Sequence, residues 1–118
     1  MKFQLNLRHN RLNDTSLNIG NWSAECALNI DLSENMLKKV PSPGKIPNIT
    51  SSLILNHNEI SSADDVRKYN CLENLELRNN LIDHFPKGLT VNFDECKKVG
   101  SYQKISRDFS SNKISTLE

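Results

Sequence analysis

The stretch LNLRHNRL, residues 5–12, contains a skeleton of four positions. An apolar residue is followed by a second apolar residue two positions later, an asparagine three positions after that, and a closing apolar residue two positions further on. The skeleton returns in IDLSENML (residues 30–37), LILNHNEI (residues 53–60) and LELRNNLI (residues 75–82). A fifth copy, RDFSSNKI (residues 107–114), has Arg107 at the first apolar position. Four positions that recur in one register indicate an internal repeat.

The spacing of the asparagines sets the period of this repeat. They stand at Asn10, Asn35, Asn58, Asn80 and Asn112, so that successive intervals are 25, 23, 22 and 32 residues. The first three intervals fall within the period of about 20–29 residues that leucine-rich repeats have.

The pattern resembles that of the leucine-rich repeat family, and the resemblance covers most of the chain. The segment VPSPGKIPNITSSLILNHNEI, residues 40–60, resembles the proline-punctuated repeats near the start of Toll-like receptor ectodomains and related extracellular proteins. This resemblance implies an ectodomain of a receptor-like protein, at the cell surface or secreted.

The alternation of apolar residues at Leu53 and Leu55 is typical of a strand that buries one face. Parallel pairing of five such strands needs a crossover after each strand. The segment SSADDVRKYN, residues 61–70, predicts a short helical crossover with Ser61 or Ser62 as its cap. The segment VPSPGKIP, residues 40–47, is too rich in proline and glycine for a helix and predicts an extended crossover. The expected fold is therefore α/β: a short, curved leucine-rich-repeat solenoid with a parallel sheet on its concave side and few, short helical or extended crossovers.

A chain of 118 residues suits one domain, residues 1–118, with about five repeats. The long interval before Asn112 predicts an insertion at about residues 90–104, which leaves the last repeat degenerate. The outer repeats of a stack need a cap, and none precedes Leu5 and Leu7. We therefore expect a segment of a longer protein; the alternative is that residues 1–4 alone shield this edge.

Composition limits the classes of partner. The net charge of +1 favours neither nucleic acid nor an anionic membrane surface. No apolar run approaches the roughly 18 residues of a transmembrane helix, and the N-terminus lacks the apolar core of a signal peptide. We expect no membrane contact by this segment.

The cysteines and sequons leave the compartment open. Cys26 and Cys71 occupy equivalent places two repeats apart, roughly 10 Å, which is too far for a disulfide. A Cys71–Cys96 bond is open to the chain, although free or buried thiols are the simpler expectation. Asn13, Asn21 and Asn48 form glycosylation sequons, roughly the number that chance gives with 16 asparagines among 118 residues.

The recurring asparagines Asn10, Asn35, Asn58 and Asn80 are expected to be structural. An asparagine amide has two donors and an acceptor, so a row of them can satisfy the backbone groups freed where each strand ends. The leucines are expected to form the core.

The outward positions between the leucines form the candidate binding face. They alternate with the buried positions in three rows, which are Asn6, Asp31, Ile54, Glu76 and Asp108; Arg8, Ser33, Asn56, Arg78 and Ser110; and His9, Glu34, His57, Asn79 and Ser111. Four carboxylates against two guanidiniums give the face a net charge of −2. The ligand-contacting residues are expected to be Arg8, Asp31, Ile54, Asn56, His57, Glu76 and Arg78, with Ile54 as an exposed apolar anchor in a polar rim. The alternative is an ordinary solvated sheet face with the ligand contacts elsewhere.

The sequence gives little support for an enzymatic function. The sequence has no phosphate-binding glycine loop, no Cys-x-x-Cys pair and no nucleophile elbow. His9, Glu34 and His57 stand at one position of successive repeats, but the histidines are two strands apart, so that three solvated side chains are expected rather than a metal site. We predict a non-enzymatic protein with neither metal nor cofactor.

The predicted function is recognition of a protein or peptide ligand by a receptor-like ectodomain segment. Insertions in repeat proteins often leave the stack on the binding face, so Lys97 and Lys98 are expected to form a secondary contact near Glu76. The alternative is an intracellular leucine-rich-repeat scaffold or regulatory subunit in the cytoplasm. The sequence does not identify the ligand.

Overall fold

Five short strands and one helical turn make up the regular structure. The computed structural model describes residues 2–20, 27–42, 44–47, 50–69, 72–84 and 106–114. The elements in chain order are β1 (Lys2–Asn6), β2 (Ala27–Asp31), β3 (Thr50–Ile54), a 3-10 helix (Asp64–Lys68), β4 (Asn74–Glu76) and β5 (Ser106–Asp108).

The strands form one parallel sheet in the order β1-β2-β3-β4-β5, so every strand lies beside its neighbours in sequence. The register aligns the first apolar position of every copy of the pattern, and the aligned residues are Leu5, Ile30, Leu53, Leu75 and Arg107. The prediction of a parallel sheet in this register is confirmed. It includes the fifth copy, in which Arg107 replaces the apolar residue.

The core lies on one side of the sheet and combines the repeated apolar positions with crossover residues such as Val40, Ile46 and Tyr69. The repeated positions with no exposed surface are Ile30, Leu32, Leu37, Leu53, Leu55, Ile60, Leu75, Leu77 and Ile82. Leu5 and Leu7 of the first copy are only partly buried, since β2 covers them from one side. Burial is therefore deepest in the repeats that have a neighbour on both sides.

An asparagine ladder runs along the ends of the strands. Asn58 donates from Nδ2 to Leu32 O (3.0 Å) and Leu55 O (3.1 Å), and its Oδ1 accepts from Leu37 N (3.0 Å). Each ladder residue bonds the backbone of its own repeat and of the preceding one, and the members are Asn35, Asn58, Asn80 and Asn112. These bonds agree with the structural role expected for Asn35, Asn58 and Asn80, and Asn112 of the fifth copy takes the same position.

Asn10 differs from the other ladder positions. It is exposed, and its side chain donates only to Arg8 O (3.0 Å). Its backbone N–H, in contrast, donates to Oδ1 of Asn35 in the next repeat. The backbone of Asn10 therefore donates to the ladder, but its side-chain amide does not link two repeats.

The residue before each of the five recurring asparagines has a left-handed backbone. The φ angles are 62° at His9, 57° at Glu34, 58° at His57, 56° at Asn79 and 55° at Ser111. This conformation costs a non-glycine residue roughly 1–2 kcal/mol. It recurs because the turn directs the following asparagine side chain at the backbone groups that it must satisfy. The sequence predicted where the strands end but not this conformation.

The crossover after β3 contains the predicted helical turn, here a 3-10 helix. Its N-cap is Ala63 rather than Ser61 or Ser62, and no side chain caps it. Ser62 instead places its Oγ 3.3 Å from Asp64 Oδ2. No α-helix occurs in the described ranges, so the helical part of the expected α/β fold is limited to this turn.

The crossover before β3 is not helical where it is described, as the prolines predicted. Residues 44 and 45 form a turn, in which Gly44 has a φ of 111° that favours glycine. Tyr69 joins this crossover to the next, since its buried hydroxyl donates to Pro41 O (2.5 Å). Burial, with a smaller contribution from Asp65, raises the pKa of Tyr69 above its ordinary value, so the hydroxyl remains a donor.

Several sequence predictions fall outside the described residues. They are the insertion at about residues 90–104 and the pairing state of Cys26, Cys71 and Cys96. Among the residues that are described, no helix has the length and apolar character needed to cross a membrane.

We expect Leu55→Ala to lower the free energy of unfolding by about 2–5 kcal/mol, because Leu55 is fully buried between two neighbouring repeats. Urea titration measures the loss. Leu5→Ala is the matched control at a half-buried position and should cost clearly less. Equal losses for the two variants would contradict the burial gradient along the sheet.

Asn58→Leu should destabilise the chain more than Asn58→Asp. Leucine leaves Leu37 N without its partner, at about 1–3 kcal/mol. It also removes the bonds to Leu32 O and Leu55 O, although both carbonyls still accept from a neighbouring ladder asparagine. Aspartate can still accept from Leu37 N. Thermal unfolding of both variants measures the difference. Asn10→Leu, at the exposed end of the ladder, should be tolerated; if Asn58→Leu is tolerated equally well, the ladder does not stabilise the fold.

Candidate functional site

The candidate site is the side of the sheet opposite the core, here called the outward face. Its central row consists of one side chain from each strand in register, namely Asn6, Asp31, Ile54, Glu76 and Asp108. Asn6 is exposed and the other four are half-buried. Ile54 was expected to be exposed, but it is half-buried between Asp31 and Glu76 on the neighbouring strands.

The next predicted row is not uniform. Arg8 and Arg78 are exposed, whereas Ser33 and Asn56 are buried, with 3% and 6% of their surface exposed. The prediction that Asn56 faces solvent as a ligand contact is therefore wrong. Asn56 Oδ1 accepts from Arg78 N (2.8 Å), and Nδ2 donates to Glu76 Oε1 (3.1 Å). From its buried position, Asn56 orients the Glu76 carboxylate and the backbone of Arg78.

Two arginines divide the charges of the face into two clusters. Arg78 lies 3.4 Å from Glu76 Oε1 and 3.4 Å from Asp108 Oδ2. Arg8 lies 3.9 Å from Asp31 Oδ2 and 3.8 Å from Glu34 Oε2, which is beyond hydrogen-bond length. Each cluster has two carboxylates and one guanidinium, so each carries a net charge of −1, and the cluster around Arg8 is the looser one.

Three residues of the central row also shape the turn that follows their strand. Asn6 accepts from Arg8 N (3.1 Å), Asp31 from Ser33 N (3.0 Å) and Asp108 from Ser110 N (3.0 Å). These bonds hold the side chains in fixed positions at the strand ends. An asparagine or aspartate two residues before the turn is the sequence signal that would have indicated them.

The backbone N–H of Ser110 holds the pKa of Asp108 below its usual range, with smaller help from the Ser110 hydroxyl and from Arg78. Asp108 therefore stays ionised to a lower pH than an ordinary aspartate does. The Ser110 hydroxyl also lies 2.7 Å from Asp108 Oδ1.

The two histidines of the turn row are exposed and lie apart. His9 Nδ1 is 3.4 Å from Glu34 Oε2, while His57 Nε2 is 3.4 Å from Asn79 Nδ2. No three histidine, cysteine or acidic side chains of the described segments are grouped so that they could hold a metal ion.

A further polar row was missed by the sequence reasoning. It lies two residues before the central row, and its described side chains are Gln4, Asn29, Ser52 and Asn74. Asn74 Nδ2 donates to Ser52 Oγ (2.9 Å) and to Glu76 Oε2 (3.2 Å). The period of two along each strand would have revealed the row if it had been followed towards the N-terminus.

A cavity of about 220 Å³ opens between the two rows at the β1–β3 end of the face. Its lining residues are Gln4, Leu5, Asn6, Asn29, Asp31 and Ile54. Drug-sized ligands occupy pockets of about 300–1,000 Å³, so this cavity fits a side-chain group rather than a whole ligand. Of the predicted contacts, Asp31 and Ile54 meet in it.

The remaining predicted residues are only partly described. Asn13 is exposed, and its Oδ1 accepts from Thr15 N (2.9 Å) and Ser16 N (2.8 Å). Asn21, Asn48, Lys97 and Lys98 lie outside the described residues.

The chain matches no protein-family model, no curated protein and no solved structure.

We expect Asp108 to titrate below the ordinary aspartate pKa of about 3.9. Because its pKa is lowered in the folded chain, Asp108 stabilises the fold above the unfolded-state pKa, and this contribution is lost as the pH falls through the folded-state pKa. NMR of the carboxyl carbon during acid titration measures the midpoint. Arg78→Gln should raise it only in part, because Ser110 N still donates. A midpoint at or above the ordinary value would contradict the bond from Ser110.

Proposed function

We propose that this chain is a segment of a leucine-rich-repeat solenoid that binds a protein or peptide ligand on its outward, concave sheet face. It acts by recognition and not by catalysis. The alternative is an intracellular scaffold of the same repeat type.

The repeat assignment is supported by the agreement of three regularities. The four-position sequence pattern, the strand register and the asparagine ladder all have the same period. A pattern of leucines alone would fit many cores. Asn35, Asn58, Asn80 and Asn112 each bond the backbone of the preceding repeat, which supports repeats that stack in sequence.

Recognition is supported by one observation above the others: the polar groups of the outward face are held in place before any ligand arrives. Asp31 and Asp108 are fixed by the turn N–H groups, and Glu76 is fixed by Asn56 and Asn74. Side chains that are already ordered lose little conformational entropy on binding. Ile54 supplies apolar area between the two charged clusters.

The charge of the face favours a basic ligand. Its net charge of −2 contrasts with +1 for the whole chain, so the negative potential is concentrated on the side where the ordered polar groups lie. The proposed contacts are Arg8, Asp31, Ile54, His57, Glu76 and Arg78, with Asn56 as the residue that positions Glu76 and Arg78.

An extracellular setting is supported by the resemblance of residues 40–60 to the repeats near the start of Toll-like receptor ectodomains. The intracellular alternative is supported by the three cysteines, an odd number that cannot all pair with one another.

The test is selection of peptides from a displayed random library with the whole chain as bait. Selected peptides should lose affinity at least about tenfold for Glu76→Lys, which reverses a charge at the centre of the face. The matched control is Glu59→Lys, which makes the same charge change at an exposed residue beyond the ladder, and it should bind normally. Melting curves of both variants establish that they are folded.

Two outcomes would contradict the proposal. In one, no peptide binds the folded chain with measurable affinity. In the other, the selected peptides bind Glu76→Lys normally and lose affinity for Glu59→Lys, which would locate recognition outside the outward face.

A further inference from the structure

We propose that the cavity between β1, β2 and β3 is a subsite for the guanidinium group of an arginine side chain, carried by an extended peptide. The inference deepens the proposed function and rests on it, since it names the group that the β1–β3 end of the outward face recognises.

The first observation is an acceptor without a donor. Asn29 Oδ1 is shielded from solvent and accepts no hydrogen bond from any described residue. Buried polar atoms almost always have a partner, so such an exception needs an explanation. Asn29 belongs to the cavity wall. Because Oδ1 itself has almost no accessible surface, the side-chain amide has to rotate and turn this oxygen towards the cavity before a donor seated there can supply the missing bond.

The second observation is the incomplete pairing of Asp31, which lines the same cavity. Its Oδ1 accepts from Ser33 N, whereas the nearest cation to Oδ2 is Arg8 Nε at 3.9 Å. Arg8 is itself half-exposed, with 50% of its side-chain surface open to solvent. Asp31 therefore retains an acceptor oxygen and most of its charge for a ligand.

The spacing of these two residues along β2 suits a guanidinium. Asn29 and Asp31 are two residues apart on β2 and point to the same side of the sheet, roughly 7 Å apart along the strand. A guanidinium presents five N–H donors in one rigid plane and can bond two separated acceptors at once. An ammonium is a compact point charge and would satisfy only one of them.

The other wall of the cavity suits the stem of the same side chain. Ile54 lies beside Asp31 in the sheet register and gives the cavity its apolar surface. Arginine buries its methylene stem against apolar surface while its charged head remains among polar groups. The volume of about 220 Å³ matches one such side chain rather than a larger ligand.

The other end of the face provides an internal comparison. Asp108 accepts from the N–H two residues later, as Asp31 does, and has an arginine beside it, as Asp31 does. Arg78 approaches Asp108 to 3.4 Å, and Asp108 does not line the cavity. Asp31 and Asp108 thus share the bond to the N–H two residues later, and they differ in how closely other groups pair with them and in whether they line the cavity.

The test is NMR titration of the whole isotope-labelled chain with N-acetyl-arginine amide. Amide signals of β1, β2 and Ile54 should shift, including the side-chain amide of Asn29. N-acetyl-citrulline amide, which has nearly the same shape without the charge, should bind at least about tenfold more weakly, and N-acetyl-lysine amide should lie between the two. Equal affinity for citrulline, or shifts confined to other parts of the chain, would overturn the proposal.

The variants localise the effect. Asp31→Asn keeps an acceptor for Ser33 N but removes the charge, and should weaken the binding of the arginine amide about tenfold. Asp108→Asn should leave it within a factor of two. Arg8→Gln should strengthen it severalfold, because Arg8 competes for Asp31. If Asp31→Asn and Asp108→Asn behave alike, Asp31 does not form the subsite. Asn29→Ala should also weaken the binding of the arginine amide. This variant tests the subsite independently if Asp31→Asn fails to fold.

Failure of the subsite can be separated from failure of the proposed function. If the arginine amide does not bind while selected peptides still depend on Glu76, the outward face remains the binding surface and only the subsite is wrong. If the arginine amide binds at the cavity but no peptide is selected, the subsite stands without evidence for peptide recognition.

Discussion

The rest of the structure depends on one interaction, the bond set of the ladder asparagines. When the chain leaves a strand and turns back over the core, it frees backbone N–H and C=O groups in a place that water does not reach. An unsatisfied group there costs about 1–3 kcal/mol. Asn58 satisfies groups of its own repeat and of the preceding one with a single side chain. Because each ladder residue joins two repeats, the turn, the register and the burial of the leucines are stabilised together.

The same turn that serves the ladder also orders the outward face. The left-handed residue that precedes each asparagine reverses the chain just after the central row ends. The N–H groups at the start of that turn then face back towards Asn6, Asp31 and Asp108, which accept from them. Two of the carboxylates that give the face its charge are therefore also part of the turns. Removing the charge while keeping the acceptor, as an asparagine does, separates these two roles.

The sequence predicts the periodic part of this arrangement well. The strand register and the leucine core follow from the four-position pattern, and the ladder follows from what an amide can bond, so both agree with the structure at Leu55 and Asn58. The parts it missed depend on bonds between different repeats. Asn56 looks outward by its position, but it is buried because Glu76 and the Arg78 N–H, a repeat away, both bond to it. The left-handed turns and the cavity beside Asn29 have no signature in a single repeat, since each depends on what the neighbouring strand supplies.

The apolar side chain of Ile54 explains why the β1 end and the β5 end of the outward face differ in chemistry. Every other side chain of the central row is polar and can bond either a turn N–H or a neighbouring polar group, whereas isoleucine can do neither. On the β4 side of Ile54, Asn74 and Asn56 satisfy Glu76, and Arg78 lies close to both Glu76 and Asp108. On the β1 side, the apolar side chain of Ile54 offers no hydrogen bond to Asp31 or Asn29. The nitrogen Nε of Arg8 remains 3.9 Å from Asp31 Oδ2. The apolar residue therefore separates a cluster that is already paired from one whose acceptors are still available, and the cavity lies on the available side.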